Sequence, residues 1–567
     1  MSARSTLSRP RRMPSTPSSR PPLPDKGPVP SLPWALFLAC AAVGVRWAYL
    51  FWTGAIYEDA FISLRYAENL AAGHGLVYNP GERVFGASTP LHVLFLAGFS
   101  RLGLDPLYWV RLLTGLADGL TLLLWARWLG GQTRSLPAVL WWSLLFGLSP
   151  VIVPVSVSGM ETSFALLLLT LAFLADAADR PRALGAALGL LTLVRPEGAL
   201  AGLVLLGLRW RRTGRLPWAP ALLAAVLVAP WVIPATLYYG SPVPHSIPAK
   251  AAAYNLHRPS HWPNVQDTLA QVLPAHLPAG RLLALALLAP CLMAGLRAGW
   301  RTPARPLVLL LGVWWAYLVL PKTLLFVWYF PLLLLPAYVL SALGFASLHR
   351  LAQDRLRPGT ARAASAGVLA LFALGLVAWL LPTAADSRRQ QEGETSVRRE
   401  IGLWLRERTP PGARVAMEPI GYVGYYSQRP VLDEVGLVSP EMVPLNRRGG
   451  GWFGEMLRQL EPPYVVERPY FLLRNLTINS RVPMFADEAE RTEFARRYRA
   501  RATFSGLDLP AHLRKDFRFA VYSRRSEAEL REWDQEWARL SAAEREERVR
   551  RAISGEAAAA PAPPPPP

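Results

Sequence analysis

The sequence predicts a polytopic α-helical membrane protein with a soluble α/β domain at its C-terminal end. Apolar runs of about 20 residues, the length of helix that crosses a bilayer, recur between positions 32 and 381. Hydrophobic residues make up 52% of the 567 residues and charged residues 18%, and the mean hydropathy is +0.20. This composition excludes a disordered chain, because disorder requires low hydrophobicity.

The net charge of +21 does not indicate a nucleic-acid-binding protein. Arginines outnumber lysines 57 to 4, and many of them lie in short loops between apolar runs, where positive charge sets membrane orientation. No zinc finger, RNP motif or basic zipper is present, so we expect no nucleic acid partner. Cys40 and Cys291 both lie in apolar runs, and no disulfide or cysteine metal site is predicted.

The basic loops give a topology. Residues 1–30 form a basic tail that we expect to be disordered and cytoplasmic. The membrane domain, 31–383, then has about nine crossings, and the odd number leaves the C-terminal region outside. Two long outer loops, 54–104 with two short interfacial helices and 239–279, interrupt the crossings. The predicted crossings are 33–52, 106–129, 136–155, 161–175, 217–238, 281–296, 306–320, 326–348 and 363–381.

One apolar segment, 183–208, has basic sequence on both flanks, so both of its ends should be cytoplasmic. The string RPEG (195–198) interrupts it at the middle. Each arm then has about 12 residues, or about 18 Å of helix, which is too short to cross alone. The sequence therefore predicts a re-entrant helix pair with RPEG at its tip, where irregular backbone must lie against protein or a watery cavity.

Residues 384–555 are predicted to be a soluble periplasmic domain, followed by a disordered Ala/Pro tail at 556–567. We expect a helix at 399–408, a strand within 409–418, a short helix and a strand within 420–437, and one charged, solvated helix at 526–553. No internal repeat is visible, which speaks against an inverted-repeat transporter.

The first outer loop contains the string YEDAFISLRYAENLAAGHGLVYNPGERVFGASTPL (57–91). Its adjacent acids, Glu58 and Asp59, follow the first span directly. Two neighbouring carboxylates at a dry interface raise each other's pKa and can serve as a base or as metal ligands. The alternative is that they only stabilise the N-terminus of an interfacial helix. Arg65 lies about two turns further along the same predicted helix.

This string resembles the first outer loop of GT-C membrane glycosyltransferases, most closely that of bacterial cell-wall arabinofuranosyltransferases. The first acid of their motif is Asp where this chain has Glu58, so Asp59 is the safer catalytic assignment. Further strings fit the same resemblance: SGMETSF (158–164), LVRPEGAL (193–200), YGSPVPHSIPAK (239–250), FVWYFPLL (326–333) and the segment 409–441.

The resemblance implies an enzyme of the inner (plasma) membrane of a bacterium. Its donor would be a sugar, possibly arabinofuranose, on a polyprenyl phosphate. Its acceptor would be an envelope glycan or glycolipid outside the membrane. An acid of the first outer loop, here Asp59, would deprotonate the acceptor hydroxyl, and the reaction would invert the anomeric carbon.

A lipid-linked donor carries its phosphate at the headgroup plane and needs cations there. Arg195, Lys250 and Lys322 are predicted at or near the outer side. Ordinary snorkelling to lipid headgroups is the alternative for the two lysines. His245 could donate a hydrogen bond to phosphate or sugar, or could be an exposed loop histidine.

Three further positions complete the predicted donor site or lie close to it. Glu197 is predicted to pair with Arg195 at the helix break, and intramembrane charges are functional candidates by default. Tyr329 could stack on a sugar or belong to an aromatic belt. Glu161 is a weaker candidate, because a helix N-terminus alone explains an acid.

Arg46 and Asp118 lie at similar depth in the first two spans, about 20 and 16 Å from the inner ends of their helices. We therefore predict a structural ion pair between adjacent helices rather than a catalytic role. No cofactor is certain. Glu58 and Asp59 could hold a divalent cation only with further oxygen ligands.

Two other classes of function stay open beside the transferase. A flippase of lipid-linked sugar would favour repeated halves and paired midplane charges, and a non-catalytic scaffold would make Asp59 dispensable. Within the transferase class, a protein or lipid O-glycosyltransferase with another sugar is the alternative. The expected partners are the lipid-linked donor, the envelope acceptor and membrane lipid.

Overall fold

The computed structural model describes residues 31–255, 279–320, 325–476, 482–506 and 508–556. Its first two thirds are helical. The helices are α1 (Leu32–Thr53), α2 (Glu58–Ala71), α3 (Pro90–Arg101), α4 (Pro106–Thr133), α5 (Leu136–Gly147), α6 (Ile152–Ser156), α7 (Thr162–Ala177), α8 (Pro181–Val194), α9 (Gly198–Thr213), α10 (Trp218–Tyr239), α11 (Ser246–Lys250), α12 (Ala279–Trp300), α13 (Arg305–Val319), α14 (Phe330–Arg355), α15 (Pro358–Gly393) and α16 (Glu400–Arg408).

The chain is a multi-pass membrane protein, as the sequence predicts. Within the described ranges, six helices are long and apolar enough to cross a bilayer: Leu32–Thr53, Pro106–Thr133, Trp218–Tyr239, Ala279–Trp300, Val327–Arg355 and Pro358–Arg408. Shorter apolar helices, among them α5, α7, α8 and α13, lie between them. The number of crossings stays a prediction.

The predicted crossing at 136–155 is not one helix, because α5 ends at Gly147 and α6 begins at Ile152. Pro150 lacks the N–H that would bond the carbonyl of Phe146. The Arg46 guanidinium replaces it: Nη2 donates to the Phe146 carbonyl at 2.9 Å and Nη1 to the Gly147 carbonyl at 2.8 Å.

The predicted ion pair of Arg46 and Asp118 is confirmed. The Arg46 Nε lies 2.8 Å from Asp118 Oδ2, both side chains are fully buried, and the Ser156 hydroxyl also donates to that carboxylate. Arg46 thus ties α1, α4 and the broken end of α5 together, which is the structural role expected of a buried, fully bonded charge.

The helix break at RPEG is also confirmed. α8 ends at Val194 and α9 begins at Gly198, and Arg195 between them is extended (φ −146°, ψ 121°), as expected before a proline. At the far end of the α9 arm, ion pairs join Arg209 and Arg212 to Asp176, and the α8 arm begins five residues after Asp176. The two arms therefore form a hairpin whose open end lies beside the C-terminal end of α7.

α7 has the same extent as the two arms. Its N-terminal end lies beside the hairpin tip, where Glu161 bonds Arg195. Its C-terminal end lies beside the open end of the hairpin, where Asp176 bonds Arg209. A count that treats 161–175 as a crossing and 183–208 as re-entrant is therefore inconsistent with this geometry. Since α7, α8 and α9 begin and end at the same two depths, either all three cross the bilayer or none of them does.

The C-terminal part contains the expected sheet-bearing domain. Its strand order is β2-β1-β3-β5-β4, with β1, β2 and β3 parallel and the other pairs antiparallel. The strands are β1 (Val415–Met417), β2 (Val431–Asp433), β3 (Tyr464–Glu467), β4 (Tyr498–Ser505) and β5 (Arg518–Arg524). Its helices are α17 (Tyr422–Ser427), α18 (Met442–Arg448), α19 (Trp452–Leu460), α20 (Pro469–Arg474), α21 (Glu488–Arg497), α22 (Ala511–Arg514), α23 (Glu527–Arg539) and α24 (Ala542–Ser554).

The prediction of a single helix at 526–553 is wrong, because the structure has two helices there, α23 and α24. Ser541 caps α24: its hydroxyl accepts from the Glu544 backbone N–H, and the Glu544 carboxylate accepts from the Ser541 N–H. This reciprocal capping box starts a new helix. The pair is also less solvated than predicted, since Trp533 and Ile553 are buried against the sheet.

The domain is not a separate body on a linker. α15 continues without a break across the expected boundary at residue 383, and a π-helical segment, Glu394–Arg399, leads into α16. One hydrophobic core contains Tyr66 and Val93 of the first outer loop together with Val415 and Phe519 of the sheet. The sheet therefore holds the loop that carries Glu58 and Asp59.

Candidate active site

A cavity of about 310 Å³ lies where the first outer loop, the start of α7, the hairpin tip and α11 meet. Its walls combine three carboxylates, two cations and three aromatic rings with apolar side chains. Five of the sequence-predicted site residues line it: Asp59, Arg195, Glu197, Lys250 and Tyr329. A few polar groups in a mostly apolar pocket are typical of ligand-binding and active sites.

Glu58 and Asp59 form the first turn of α2, where acids stabilise a helix N-terminus. Their partners differ. Asp59 lines the cavity, whereas Glu58 accepts a hydrogen bond from the Gly421 backbone N–H in the C-terminal domain. The structure therefore places Asp59, and not Glu58, where a substrate could reach it.

The electrostatics separate the same two residues. Burial raises the pKa of Glu58 well above its ordinary value, and the neighbouring charge of Asp59 adds to this effect. Burial also raises the pKa of Asp59, but Lys250 and a hydrogen bond from Glu58 oppose the shift. Both carboxyl groups therefore have a raised pKa, that of Glu58 well above its ordinary value, and a raised pKa is what a general base requires.

Lys250 ends the short helix α11 of the second outer loop. Burial lowers its pKa, but the Tyr329 hydroxyl and Asp59 outweigh that effect, so the net pKa is raised and the ammonium stays charged. Its Nζ also lies 5.2 Å from the centre of the Phe326 ring. Lys250 is thus a half-buried cation on the same cavity as Asp59, suited to an anionic substrate group.

Arg195 occupies the hairpin tip and bonds three partners. Its Nε lies 2.7 Å from Glu161 Oε1, and its Nη1 lies 3.2 Å from Glu197 Oε1. Nη1 also donates to the Trp328 carbonyl at 3.2 Å, and the guanidinium lies 5.5 Å from the Tyr329 ring centre. The predicted pair with Glu197 is present, and Glu161 is the closer partner.

Glu161 is more important to the cavity than the sequence suggests. It lines the cavity, and its second oxygen, Oε2, is buried with no hydrogen-bond partner within the described ranges. The buried ring of His92 lies nearby, with Nε2 3.1 Å from the Gly159 carbonyl and Nδ1 without a partner there. Sequence reasoning missed His92, although it directly follows the quoted STPL string.

Two other predicted site residues, Arg65 and His245, do not line the cavity. Arg65 donates to the backbone carbonyls of Tyr78, at 3.0 Å, and of Arg429, at 2.7 Å, so it ties α2 to the C-terminal domain. The backbone N–H of His245 donates to the Phe85 carbonyl at 2.8 Å, and burial lowers the pKa of its ring. Lys322 lies outside the described residues.

A divalent cation finds little support in these carboxylates. Glu58 and Asp59 are only two adjacent carboxylates, and Glu161 is already paired with Arg195. Over the described ranges, no group of three or more His, Cys, Asp or Glu side chains is placed to hold a metal ion. The residues present do not fit such a site, and metal dependence stays an untested prediction.

Solved structures show a similar fold. The crystal structure of ArnT from Cupriavidus metallidurans bound to undecaprenyl phosphate aligns with a TM-score of 0.52 and 14% identity, over 88% of this chain and 99% of that chain. The chain shares its fold with ArnT. The apo form of ArnT gives a TM-score of 0.53 at 14% identity, over 87% of this chain and 98% of that chain.

An arabinofuranosyltransferase, AftD from Mycobacteria, aligns at 18% identity and a TM-score of 0.46, over 88% of this chain and 42% of that chain. ArnT and AftD are GT-C glycosyltransferases. The likeness to ArnT confirms the GT-C-type fold that the motif resemblance implies.

Sequence comparisons add one family. A family model described as a domain of unknown function (DUF8728) matches residues 385–522, which lie in the sheet-bearing domain. No curated protein matches the chain.

Proposed function

We propose that the protein is a membrane glycosyltransferase that moves a sugar from a polyprenyl phosphate to a cell-envelope glycan or lipid on the outer face of a bacterial inner membrane. The observation that carries the proposal is that Asp59, Lys250 and Arg195 line the same cavity. The fold shared with ArnT, which was crystallised with undecaprenyl phosphate, supports the class of donor.

In the proposed reaction, the acceptor hydroxyl loses its proton to the Asp59 carboxylate and attacks the anomeric carbon of the sugar. The bond from that carbon to the phosphate oxygen breaks, and the polyprenyl phosphate leaves with the electron pair. Attack opposite to the leaving group inverts the anomeric carbon. Lys250 and Arg195 stabilise the negative charge of the leaving phosphate.

Four further residues have supporting roles in this proposal. Glu161 and Glu197 orient the Arg195 guanidinium by bonding two of its nitrogens. Tyr329 holds the Lys250 ammonium and offers an aromatic face to the sugar. Glu58, which does not line the cavity, hydrogen-bonds Asp59 and fixes the direction of that carboxylate.

The motif resemblance makes arabinofuranose the first sugar to test. The proposal is tested by glycosyl transfer with purified full-length protein in nanodiscs. The assay offers a panel of polyprenyl phosphate sugars and envelope oligosaccharides, with and without EDTA. We expect Asp59→Asn to lower transfer by about 100- to 10,000-fold, the usual contribution of a general base. Glu58→Gln copies the protonated acid and should retain most of the activity.

Glu68→Gln is the matched control, because Glu68 lies on the same helix but bonds the Tyr425 hydroxyl. Full transfer by Asp59→Asn would refute the catalytic assignment. Movement of lipid-linked sugar across the bilayer without any transfer would favour a flippase. If another sugar is transferred, the enzyme class stands and arabinofuranose is wrong.

A further inference from the structure

A second, larger cavity lies at the opposite end of the helices that form the catalytic cavity. Its volume is about 1340 Å³, larger than the roughly 300–1,000 Å³ of ordinary small-molecule sites. α4, α7, α8 and α9 form its walls, and the segment between α12 and α13 closes one side. α8 runs between the two cavities: Ala183 and Leu190 line this one, and Arg195, just beyond the end of α8, lines the other.

The inner walls of this cavity are apolar. Leucines and alanines of α7 and α8 predominate, among them Leu171, Leu174, Ala186 and Leu190. Leu171 is 38% exposed although it belongs to an apolar helix. Water is a poor solvent for such a surface, whereas a hydrocarbon chain would cover it.

The rim of the cavity is basic. Four arginines line it, Arg180, Arg211, Arg212 and Arg305, against one acid, Asp176. Asp176 is already paired, with Arg212 at 3.0 Å and Arg209 at 3.4 Å. Within the described ranges, the salt bridges include no carboxylate partner for Arg180, Arg211 or Arg305. The rim therefore has an excess of positive charge.

Arg305 gives the clearest sign that the rim is incomplete. Its Nε is buried and has no hydrogen-bond partner in the described part of the chain. Its guanidinium lies 4.8 Å from the centre of the Trp300 ring, which fixes the side chain beside the cavity. A buried donor without a partner is unfavourable, and an anionic ligand would supply the missing acceptor.

Taken together, the cavity has a cationic rim at the ends of apolar helices and a hydrocarbon-like interior. We propose that it binds one anionic phospholipid of the leaflet opposite to the catalytic cavity, with the phosphate at Arg305 and Arg211 and an acyl chain along α7 and α8. Basic pockets between membrane helices bind anionic headgroups by the same chemistry. The lipid would complete the packing between the hairpin and the start of α13.

The test is native mass spectrometry of the delipidated full-length protein titrated with phosphatidylglycerol and, separately, with phosphatidylcholine of the same acyl chains. We expect one tightly bound phosphatidylglycerol. Arg305→Gln should weaken its binding about fivefold and the double variant Arg211→Gln/Arg305→Gln about 25-fold, from the worth of about 1 kcal/mol per basic residue.

Two further variants make the test specific. Arg215→Gln removes an exposed arginine just beyond α9 that does not line the cavity, and it should bind phosphatidylglycerol like wild type. Ala186→Phe fills the apolar part without changing any charge, so it should also weaken binding. If the arginine variants lower the melting temperature of the protein, the effect of Ala186→Phe on lipid binding becomes the deciding measurement.

Unchanged phosphatidylglycerol binding in both Ala186→Phe and the double arginine variant would overturn the proposal. Equal binding of the two phospholipids would show that the rim does not select charge and would also overturn it. Binding of undecaprenyl phosphate at this cavity in place of phosphatidylglycerol would reassign the occupant. These measurements do not use glycosyl transfer, so they are independent of the proposed activity.

Discussion

Glu58 and Asp59 share one helical turn, yet their carboxyl groups have different surroundings. Burial acts on both, and only Asp59 has the Lys250 ammonium on its side of the helix. The difference could not be read from the sequence, because it depends on which side chain faces the cavity and which faces Gly421.

This geometry predicts a pH dependence. The pKa of Asp59 is raised above 3.8, so transfer should fall as the pH drops through that raised pKa and the base is protonated. Lys250 opposes the rise, and Lys250→Met should therefore move the acid limb of the kcat/KM profile to higher pH. Lys250→Arg keeps the charge and is the matched control. An acid limb that does not move in Lys250→Met would show that the charge of Lys250 does not affect the pKa of the base.

The Arg46–Asp118 pair predicts a large loss of stability on breaking it. Asp118→Asn leaves a buried guanidinium without its counter-charge, at a cost of about 3–5 kcal/mol, read as a lower melting temperature in detergent. Arg46→Met/Asp118→Leu should recover only part of the loss, because the Phe146 and Gly147 carbonyls also lose their donor. Full recovery would mean that the capping of α5 contributes little.

At the scale of elements, the sequence was most informative where charge and proline coincide. Flanking arginines and Pro196 located the hairpin break, and matched helix depths identified the Arg46–Asp118 pair. The break at Ser541 was missed, because charge periodicity masked a capping box. Arg65 and His245 were assigned to the donor site from their place in motifs, while their contacts depend on how the C-terminal domain docks.

The hairpin geometry has a consequence for topology. If both arms cross the bilayer as α7 does, the predicted nine crossings become eleven. Eleven is also odd, so the C-terminal domain stays on the opposite side from residue 1.

Cysteine labelling in whole cells checks this topology, in a background where Cys40 and Cys291 are replaced by alanine. We expect Glu197→Cys to react with a small impermeant methanethiosulfonate from outside, because that residue lines the catalytic cavity. Ala178→Cys and Thr213→Cys should react only after permeabilisation. External labelling of Thr213→Cys would show that the hairpin has the opposite orientation to the one proposed.

At the scale of the whole molecule, the sheet-bearing domain and the first outer loop form one unit. The backbone N–H of Gly421 donates to Glu58, and the Arg65 guanidinium reaches carbonyls of the same domain. The sequence predicted both parts but not their union, because the shared core brings together residues more than 300 positions apart, such as Tyr66 and Phe519.

Gly421→Ala tests this union. A Cβ at Gly421 would clash with the backbone oxygen and the carboxylate of Glu58, so we expect weaker docking and a loss of transfer of at least about tenfold, since small displacements of catalytic groups are costly. Gly412→Ala is the control, because a Cβ there meets nothing within 4 Å. Protease resistance of the domain separates undocking from unfolding. Wild-type transfer by Gly421→Ala would show that the contact can relax.

The continuous helix Pro358–Arg408 has 51 residues and would measure about 77 Å if straight. It joins the bilayer to the sheet-bearing domain as a strut, with no flexible linker at which the domain could swing away. The domain must therefore keep a constant height above the lipid surface. If the protein acts as proposed, an acceptor has to reach a cavity of fixed position, and we expect the distance from the acceptor's own anchor to help decide which glycans can be extended.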